Sequence, residues 1–163
     1  MIEQLREMIE MQKALDSHIF EQRGIKEYPA RNMQLALFVE LGELLNEYPT
    51  YFKHWKKAPV NNREKGLEEF VDCLHFQMSL FYHYENIIME EWHDYNSINA
   101  RFLIENPDYL LLSIMDCVDE SSNQDGLKVL FEIGNLFGFT WDEIYKAYMD
   151  KNKVNYERIK NNY

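Results

Sequence analysis

The sequence predicts an all-α fold, a helical bundle of about five to six helices that forms a single domain over residues 1–163. Only six glycines and four prolines occur, while 46% of the residues are hydrophobic. Few helix breakers and an ordinary apolar content favour packed helices over a turn-rich sandwich or barrel. Apolar residues also recur at steps of three and four, which is the helical period.

Three helices are predicted in the first half of the chain. The first has an apolar stripe that Gln12 interrupts from inside, and it ends near Gly24. The second covers about residues 31–48 and stops at Pro49, because proline cannot continue a helix. The third covers about residues 63–84. The stripe of the first helix consists of Ile2, Leu5, Ile9, Leu15 and Ile19.

Three more helices are predicted in the second half. Pro107 is placed to open a helix at its first position. Thr140 and Glu143 form a capping box at the start of the last helix. The predicted spans are about residues 107–118, 126–137 and 141–160. The aromatic and polar stretch 86–106 shows no clear helix boundaries.

Charge and cysteine content exclude several classes of function. Seventeen basic against 28 acidic residues give a net charge of −11, so the surface repels nucleic-acid polymers. Cys73 and Cys117 match neither a disulfide framework nor a zinc motif, so we expect reduced core residues in a cytoplasmic protein. No run approaches the roughly 18 apolar residues of a membrane-spanning helix.

Two pairs of carboxylates stand out on consecutive helices. Glu40 and Glu43 are three residues apart, and so are Glu69 and Asp72, so each pair projects from one helix face. If the faces meet in the bundle, four carboxylates repel one another unless cations neutralise them. Oxygen ligands without His or Cys select Mg²⁺, for which Mn²⁺ can substitute. The alternative is that both pairs are solvated surface groups.

The inward stripe of the last helix changes from apolar to polar. It continues through Lys151, Asn155 and Arg158. Lysine and arginine bind phosphate oxygens, and asparagine can bond a sugar hydroxyl or a carbonyl group. This pattern is therefore typical of an anion-binding helix. Its alternative is a helix end whose cations complement the helix dipole.

Four further side chains are candidates for substrate binding. Gln12 offers an amide donor and acceptor suited to a base edge. Trp55 could wall a base pocket, and Lys53 beside it could attract phosphates. His75 lies one turn beyond Asp72, which predicts either a substrate contact or an ordinary buried histidine.

Taken together, these residues resemble the all-α nucleoside triphosphate pyrophosphohydrolase superfamily, and within it the dimeric dUTPase branch. The resemblance extends over nearly the whole chain and is weakest between residues 86 and 138. The motifs that carry it are Gln12-x-x-Leu15-Asp16, Val39-Glu40-Leu41-Gly42-Glu43, Phe52-Lys53-x-Trp55-Lys56, Glu68-Glu69-x-x-Asp72-x-Leu74-His75-Phe76 and Lys151-Asn152-x-x-Asn155-x-x-Arg158.

The resemblance implies a Mg²⁺-dependent diphosphatase that converts dUTP to dUMP and pyrophosphate. Two or three Mg²⁺ ions would be bound by Glu40, Glu43, Glu69 and Asp72. It also implies that Glu43 orients or deprotonates the attacking water. By the same resemblance, Gln12 and Trp55 would belong to the base pocket. Lys151 and Arg158 would contact phosphates, and Asn155 would belong to the same substrate motif. Members of the branch are commonly homodimers.

Two other functions remain open from the sequence. One is a MazG-like pyrophosphohydrolase of another nucleotide, which shares the acidic motifs. The other is a non-enzymatic, acidic helical interaction protein whose carboxylates are merely solvated.

Overall fold

The computed structural model of the protein describes residues 1–84, 95 and 101–161. These residues form six α-helices of ten residues or more, one short α-helix and no β-strand, which confirms the predicted all-α bundle. The helices are α1 (Ile2–Arg23), α2 (Ala30–Asn46), α3 (Arg63–Tyr84), α4 (Arg101–Glu105), α5 (Leu110–Asp119), α6 (Gln124–Leu136) and α7 (Trp141–Lys160).

Helices α2 and α3 form an antiparallel pair. α2 ends at Asn46, two residues before the predicted end, because Pro49 opens a short 3₁₀ turn, Pro49–Tyr51. The backbone N–H of Asn62 donates to the carbonyl of Glu47 at 2.9 Å. The connection therefore returns to its starting point, and α3 runs back along α2.

The second half follows the predicted order with shifted helix starts. The proline at 107 opens a 3₁₀ turn, Pro107–Tyr109, that leads into α5. α6 begins at Gln124, two residues early, because the Asn123 side chain accepts hydrogen bonds from the backbone N–H of Asp125 and of Gly126. Most of the stretch 86–106, whose boundaries the sequence left open, lies outside the described residues.

The start of α7 is held by its predicted capping box and by an ion pair. The Thr140 hydroxyl accepts from the Glu143 N–H, and the Glu143 carboxylate accepts from the Thr140 N–H. Arg63 at the start of α3 donates to both carboxylate oxygens of Glu143, at 3.0 and 2.8 Å, and to the carbonyl of Gly138 at 2.6 Å. These bonds set the position of α7 relative to α3.

Helix α3 lies at the centre of the bundle and packs against α1, α2, α6 and α7. Most of its apolar residues are buried, and Leu67, Phe76 and Tyr82 are partly buried. Gly134 of α6 permits one of these contacts, because a Cβ atom there would lie 2.7 Å from the Phe70 ring. The cysteines at 73 and 117 are buried and unpaired, as predicted. The buried apolar residues of α3 are Phe70, Val71, Cys73, Leu74, Met78, Leu80 and Phe81.

Because α3 is central, some of its polar residues face other helices instead of bulk solvent. Glu69 and His75 are buried in the same helix as the apolar residues. Among the described residues, no helix combines the length and the apolar character needed to cross a bilayer.

Candidate active site

Three carboxylates from α2 and α3 converge at one point of the surface. Glu40, Glu43 and Glu69 each offer an oxygen, and these atoms all lie within 4.8 Å of one another. Glu69 is buried, Glu40 is half-buried and Glu43 is exposed. The i, i+3 spacing places the first two on one face of α2, and the antiparallel return of α3 brings the third against them.

The environment of Glu40 disfavours its charged form. Burial, followed by the charges of Asp72, Glu43 and Glu69, raises the pKa of Glu40 to about 7, while Lys151 acts in the opposite direction. Crowded carboxylates of this kind are expected where a cation neutralises them. The donor set contains only carboxylate oxygens, which suits a hard divalent cation such as Mg²⁺.

Two lysines neutralise part of this charge from the protein side. Lys65 contacts Glu69 at 2.9 Å, and Lys151 of α7 contacts Asp72 at 2.5 Å. Burial raises the pKa of Asp72, and the hydrogen bond from Lys151 partly offsets that effect. Asp72, the fourth predicted metal ligand, is thus engaged by a predicted phosphate-binding residue and lies outside the group of three converging oxygens.

A buried polar network lies next along α3. The Gln12 amide nitrogen is 2.8 Å from Asp16 Oδ1, and the Gln12 carbonyl oxygen is 2.7 Å from Nδ1 of His75. The Tyr148 hydroxyl lies 3.1 Å from that same oxygen. Burial, with a smaller effect of Lys151, lowers the pKa of His75 to about 3, so its ring is neutral at physiological pH.

A cavity of about 330 Å³ opens beside this network and is lined by residues of α1, α2, α3 and α7. Four predicted substrate residues line it. Three polar residues that the sequence analysis did not single out as site residues line it as well. The polar lining consists of Gln12, His75, Asn155 and Arg158 from the prediction, together with Asp16, Arg23 and Ser79.

The cavity and the acidic cluster formed by Glu40, Glu43 and Glu69 are neighbours along α3. Glu69, Asp72 and His75 follow at steps of three, so about 9 Å of helix axis separates Glu69 from His75. That spacing suits a ligand with a charged end and a more apolar end. The apolar lining of the cavity consists of Leu15, Ile19, Met33, Phe76 and Ile159.

Three other predicted substrate residues, Lys53, Trp55 and Lys151, do not line this cavity. Lys53 and Trp55 lie on the connection between α2 and α3. Lys53 donates to the side chain of Asn46 at 2.9 Å, and Trp55 is 66% exposed, with its ring against Phe52 and His54. Lys151 lines a different cavity, between α3 and α7.

Two of the three cavity residues missing from the predicted site, Asp16 and Ser79, share one sequence signal. Asp16 lies one turn after Gln12 on the inward side of α1 and is 3% exposed. Ser79 lies one turn after His75 on α3 and is also buried. Each is a polar residue one helical turn after a predicted substrate residue, on a helix face that is otherwise apolar, and this pattern could have identified both. Arg23 carried no such signal.

A family model described as dUTPase matches residues 4–163. A search of curated proteins finds no match to the chain.

Proposed function

The chain belongs to the dUTPase family and is a nucleoside triphosphate diphosphatase that acts on dUTP. From this premise we propose that its acidic cluster and the adjoining cavity form one Mg²⁺-dependent active site. The observation that carries the proposal is the convergence of Glu40, Glu43 and Glu69 beside a cavity lined by substrate-type side chains. Family membership also decides against a non-enzymatic interaction protein.

We propose that the three glutamates, with Asp72 after release from Lys151, hold the metal. When bound by these residues, Mg²⁺ would offset the charge of the triphosphate and would make a nearby water molecule easier to deprotonate. Mn²⁺ has similar ligand preferences and is expected to substitute. The support is the donor set itself, because it contains no sulfur or imidazole ligand and its carboxylates lack enough lysines to balance their charge.

Glu43 is the proposed general base. It is the exposed member of the cluster, so it is the carboxylate that water and substrate can reach. Its carboxylate accepts a proton from the attacking water, whose oxygen bonds to one of the two phosphorus atoms of the α–β bridge while the bond from that phosphorus to the bridging oxygen breaks. The products are dUMP and pyrophosphate.

The remaining residues bind the substrate. The nucleoside occupies the cavity at Gln12, His75 and Asn155, and the phosphates extend toward the acidic cluster. Arg158 and Lys151 supply cationic hydrogen bonds to phosphate oxygens. Trp55 and Lys53 remain proposed base-pocket and phosphate residues, which requires their exposed connection to move toward the cavity or to meet a second subunit.

We also propose a homodimer. Six apolar side chains on α2 and α5 are about half exposed or more, on two helices that pack together. They lie within segments that contain no charged residue, 32–39 and 109–115. Because each copy carries a net charge of −11, this uncharged face is where two copies meet with least repulsion. The side chains are Leu35, Phe38, Val39, Leu111, Leu112 and Met115.

A substrate panel tests the proposed function. Pyrophosphate release is measured for all common nucleoside and deoxynucleoside triphosphates, with Mg²⁺, with Mn²⁺ and with a chelator. We expect dUTP to be preferred and the chelator to abolish turnover. Equal turnover of dUTP, dCTP and dTTP would contradict dUTP selectivity and favour a MazG-like range of substrates. Undiminished turnover in chelator would contradict the metal site.

A further inference from the structure

The hydrogen bonds around Asp16 have a direction that chemistry imposes. The Gln12 amide contacts one oxygen of this carboxylate at 2.8 Å, and the Tyr82 hydroxyl donates to the other at 2.8 Å. A carboxylate only accepts, so the nitrogen of the Gln12 amide must face Asp16. The carbonyl oxygen of Gln12 must then face His75.

The same reasoning assigns the proton on His75. Its Nδ1 lies 2.7 Å from the Gln12 carbonyl oxygen, which only accepts, so Nδ1 carries the hydrogen. The ring is neutral, because burial lowers the pKa of His75 to about 3. Its Nε2 is therefore left with a lone pair and no hydrogen.

That Nε2 atom is buried and has no hydrogen-bond partner among the described residues. His75 is 6% exposed and lines the cavity, and it is not part of the group of converging glutamate oxygens. A buried acceptor without a donor is unfavourable, so a ligand group that donates is favoured at this point. Phosphate oxygens are acceptors, so this position takes the nucleoside end of the substrate.

We propose that Gln12, oriented by Asp16, is a positioning residue that holds His75 as the Nδ1–H tautomer, so that Nε2 accepts a hydrogen bond from an N–H or O–H group of the bound nucleoside. The ligand identity rests on the proposed function. A deoxyuridine nucleotide carries two such donors, the N3–H of uracil and the 3′-hydroxyl of the sugar. Cytosine has an acceptor at N3, so it offers no hydrogen there.

The first test is nitrogen NMR of the ligand-free protein at pH 7, which requires no catalysis. The protein contains five histidines, and the signals lost in His75→Phe identify this ring. We expect a protonated Nδ1 and a bare Nε2. A proton on Nε2, or an imidazolium, overturns the proposal.

Variants then test whether Asp16 and Gln12 set the tautomer of His75. In Gln12→Met the acceptor is gone, and in Asp16→Leu the amide is free to turn, so in both we expect His75 to populate the Nε2–H tautomer. Tyr82→Phe is the matched control, because it removes a hydrogen bond to Asp16 but leaves the Gln12 contact intact. If His75 keeps the Nδ1–H tautomer in both Gln12→Met and Asp16→Leu, the assigned role of Gln12 and Asp16 is overturned.

The second test asks which donor His75 meets. Calorimetry compares dUMP, N3-methyl-dUMP and 2′,3′-dideoxyuridine monophosphate with wild type and with His75→Ala. We expect one analogue to bind wild type about tenfold more weakly, the scale of one lost hydrogen bond, and this difference to vanish in His75→Ala. Loss with the methylated base identifies N3–H, and loss with the dideoxy sugar identifies the 3′-hydroxyl.

Undiminished binding of both analogues, or a loss that persists in His75→Ala, overturns the contact. The proposed function fails separately, through the dUTP hydrolysis assay. A protein that hydrolyses dUTP with His75 in the other tautomer refutes only this inference.

Discussion

Lys151 of α7 and Asp72 of α3 form an ion pair of 2.5 Å at the edge of the acidic cluster. The pair joins a residue predicted to bind phosphate to a residue predicted to bind metal. In the free protein it neutralises one carboxylate of a crowded group. We infer that a nucleotide and its metal compete with this pair, so both partners exchange their contacts when substrate binds.

Replacement of Glu43 by Gln tests the proposed general base. Glutamine retains the size and one acceptor but cannot take a proton, so we expect turnover of dUTP to fall at least about 10²-fold. Nucleotide affinity should change much less. Glu68→Gln is the matched control, because this side chain is largely exposed and pairs with Lys65. Steady-state kinetics at saturating Mg²⁺ measures the turnover of both variants. Near-wild-type turnover of Glu43→Gln would show that the base is another group.

Replacement of Glu40 by Gln tests the crowding of the carboxylates. Burial and three neighbouring carboxylates disfavour its charge, so without metal we expect the variant to be more stable than wild type at pH 8. A gain of about 1 kcal/mol corresponds to a rise in Tm of about 2–4 °C. Activity should need more Mg²⁺, because one ligand has lost its charge.

The measurement for Glu40→Gln is melting in chelator, paired with kinetics over a Mg²⁺ series. Asp72→Asn serves as the comparison. Asp72→Asn should show the raised Mg²⁺ requirement without the stability gain, because it also leaves Lys151 unpaired. An unaltered Tm and an unaltered Mg²⁺ requirement in Glu40→Gln would place this residue among ordinary surface carboxylates.

Alanine in place of Lys151 or Arg158 tests the cationic side of α7. Each variant should lose a charged hydrogen bond to phosphate, worth about 1.5–3 kcal/mol, or roughly 10- to 150-fold in nucleotide Kd. The fold should remain, because both lie in the second half of a terminal helix. Lys153→Ala is the matched control on the same helix, since its side chain is 72% exposed. Wild-type affinity in both variants would leave these residues as helix-end cations only.

The stability of the α7 cap should depend on pH through Glu143. The Arg63 guanidinium, followed by the Thr140 N–H, lowers the pKa of Glu143 to about 2 from its ordinary value of 4.5. A depressed carboxyl pKa contributes stability above pH 4.5, and that stability is lost as pH falls toward 2.

Glu143→Gln should therefore lower Tm at pH 7 and show a smaller further drop between pH 5 and pH 2.5 than wild type. The pair is solvent-screened, so we expect about 1 kcal/mol or less. Asp142→Asn, in the same turn, is the control. A Glu143→Gln melting profile parallel to that of wild type at every pH would contradict the role of the ion pair.

The uncharged face of α2 and α5 should mediate dimerisation. Phe38→Glu or Leu111→Glu adds a charge to this face, whose burial is unfavourable, so each should shift sedimentation equilibrium toward the monomer. Val60→Glu is the control, because Val60 is 81% exposed on the connection outside this face. A monomeric wild type, or variants that remain dimers, would contradict the proposal.

Much of the fold could be predicted because its signals are local. Proline and glycine positions, the capping box at Thr140 and the apolar periodicity depend only on nearby residues, and α3 and α7 have the predicted bounds. The errors lie at helix ends. At Asn123, for example, a side-chain cap started α6 two residues earlier than the periodicity indicated.

In the candidate site, too, the local features could be predicted from the sequence and the contacts between helices could not. The pairing of Glu40 with Glu43, and of Glu69 with Asp72, was determined by the sequence, because helical geometry alone places residues three apart on one face. Only the tertiary structure decided that Glu69 meets the α2 pair while Asp72 contacts Lys151. Each of those contacts joins two different helices, and the packing of entire helix faces, which no local pattern encodes, determines which side chains meet.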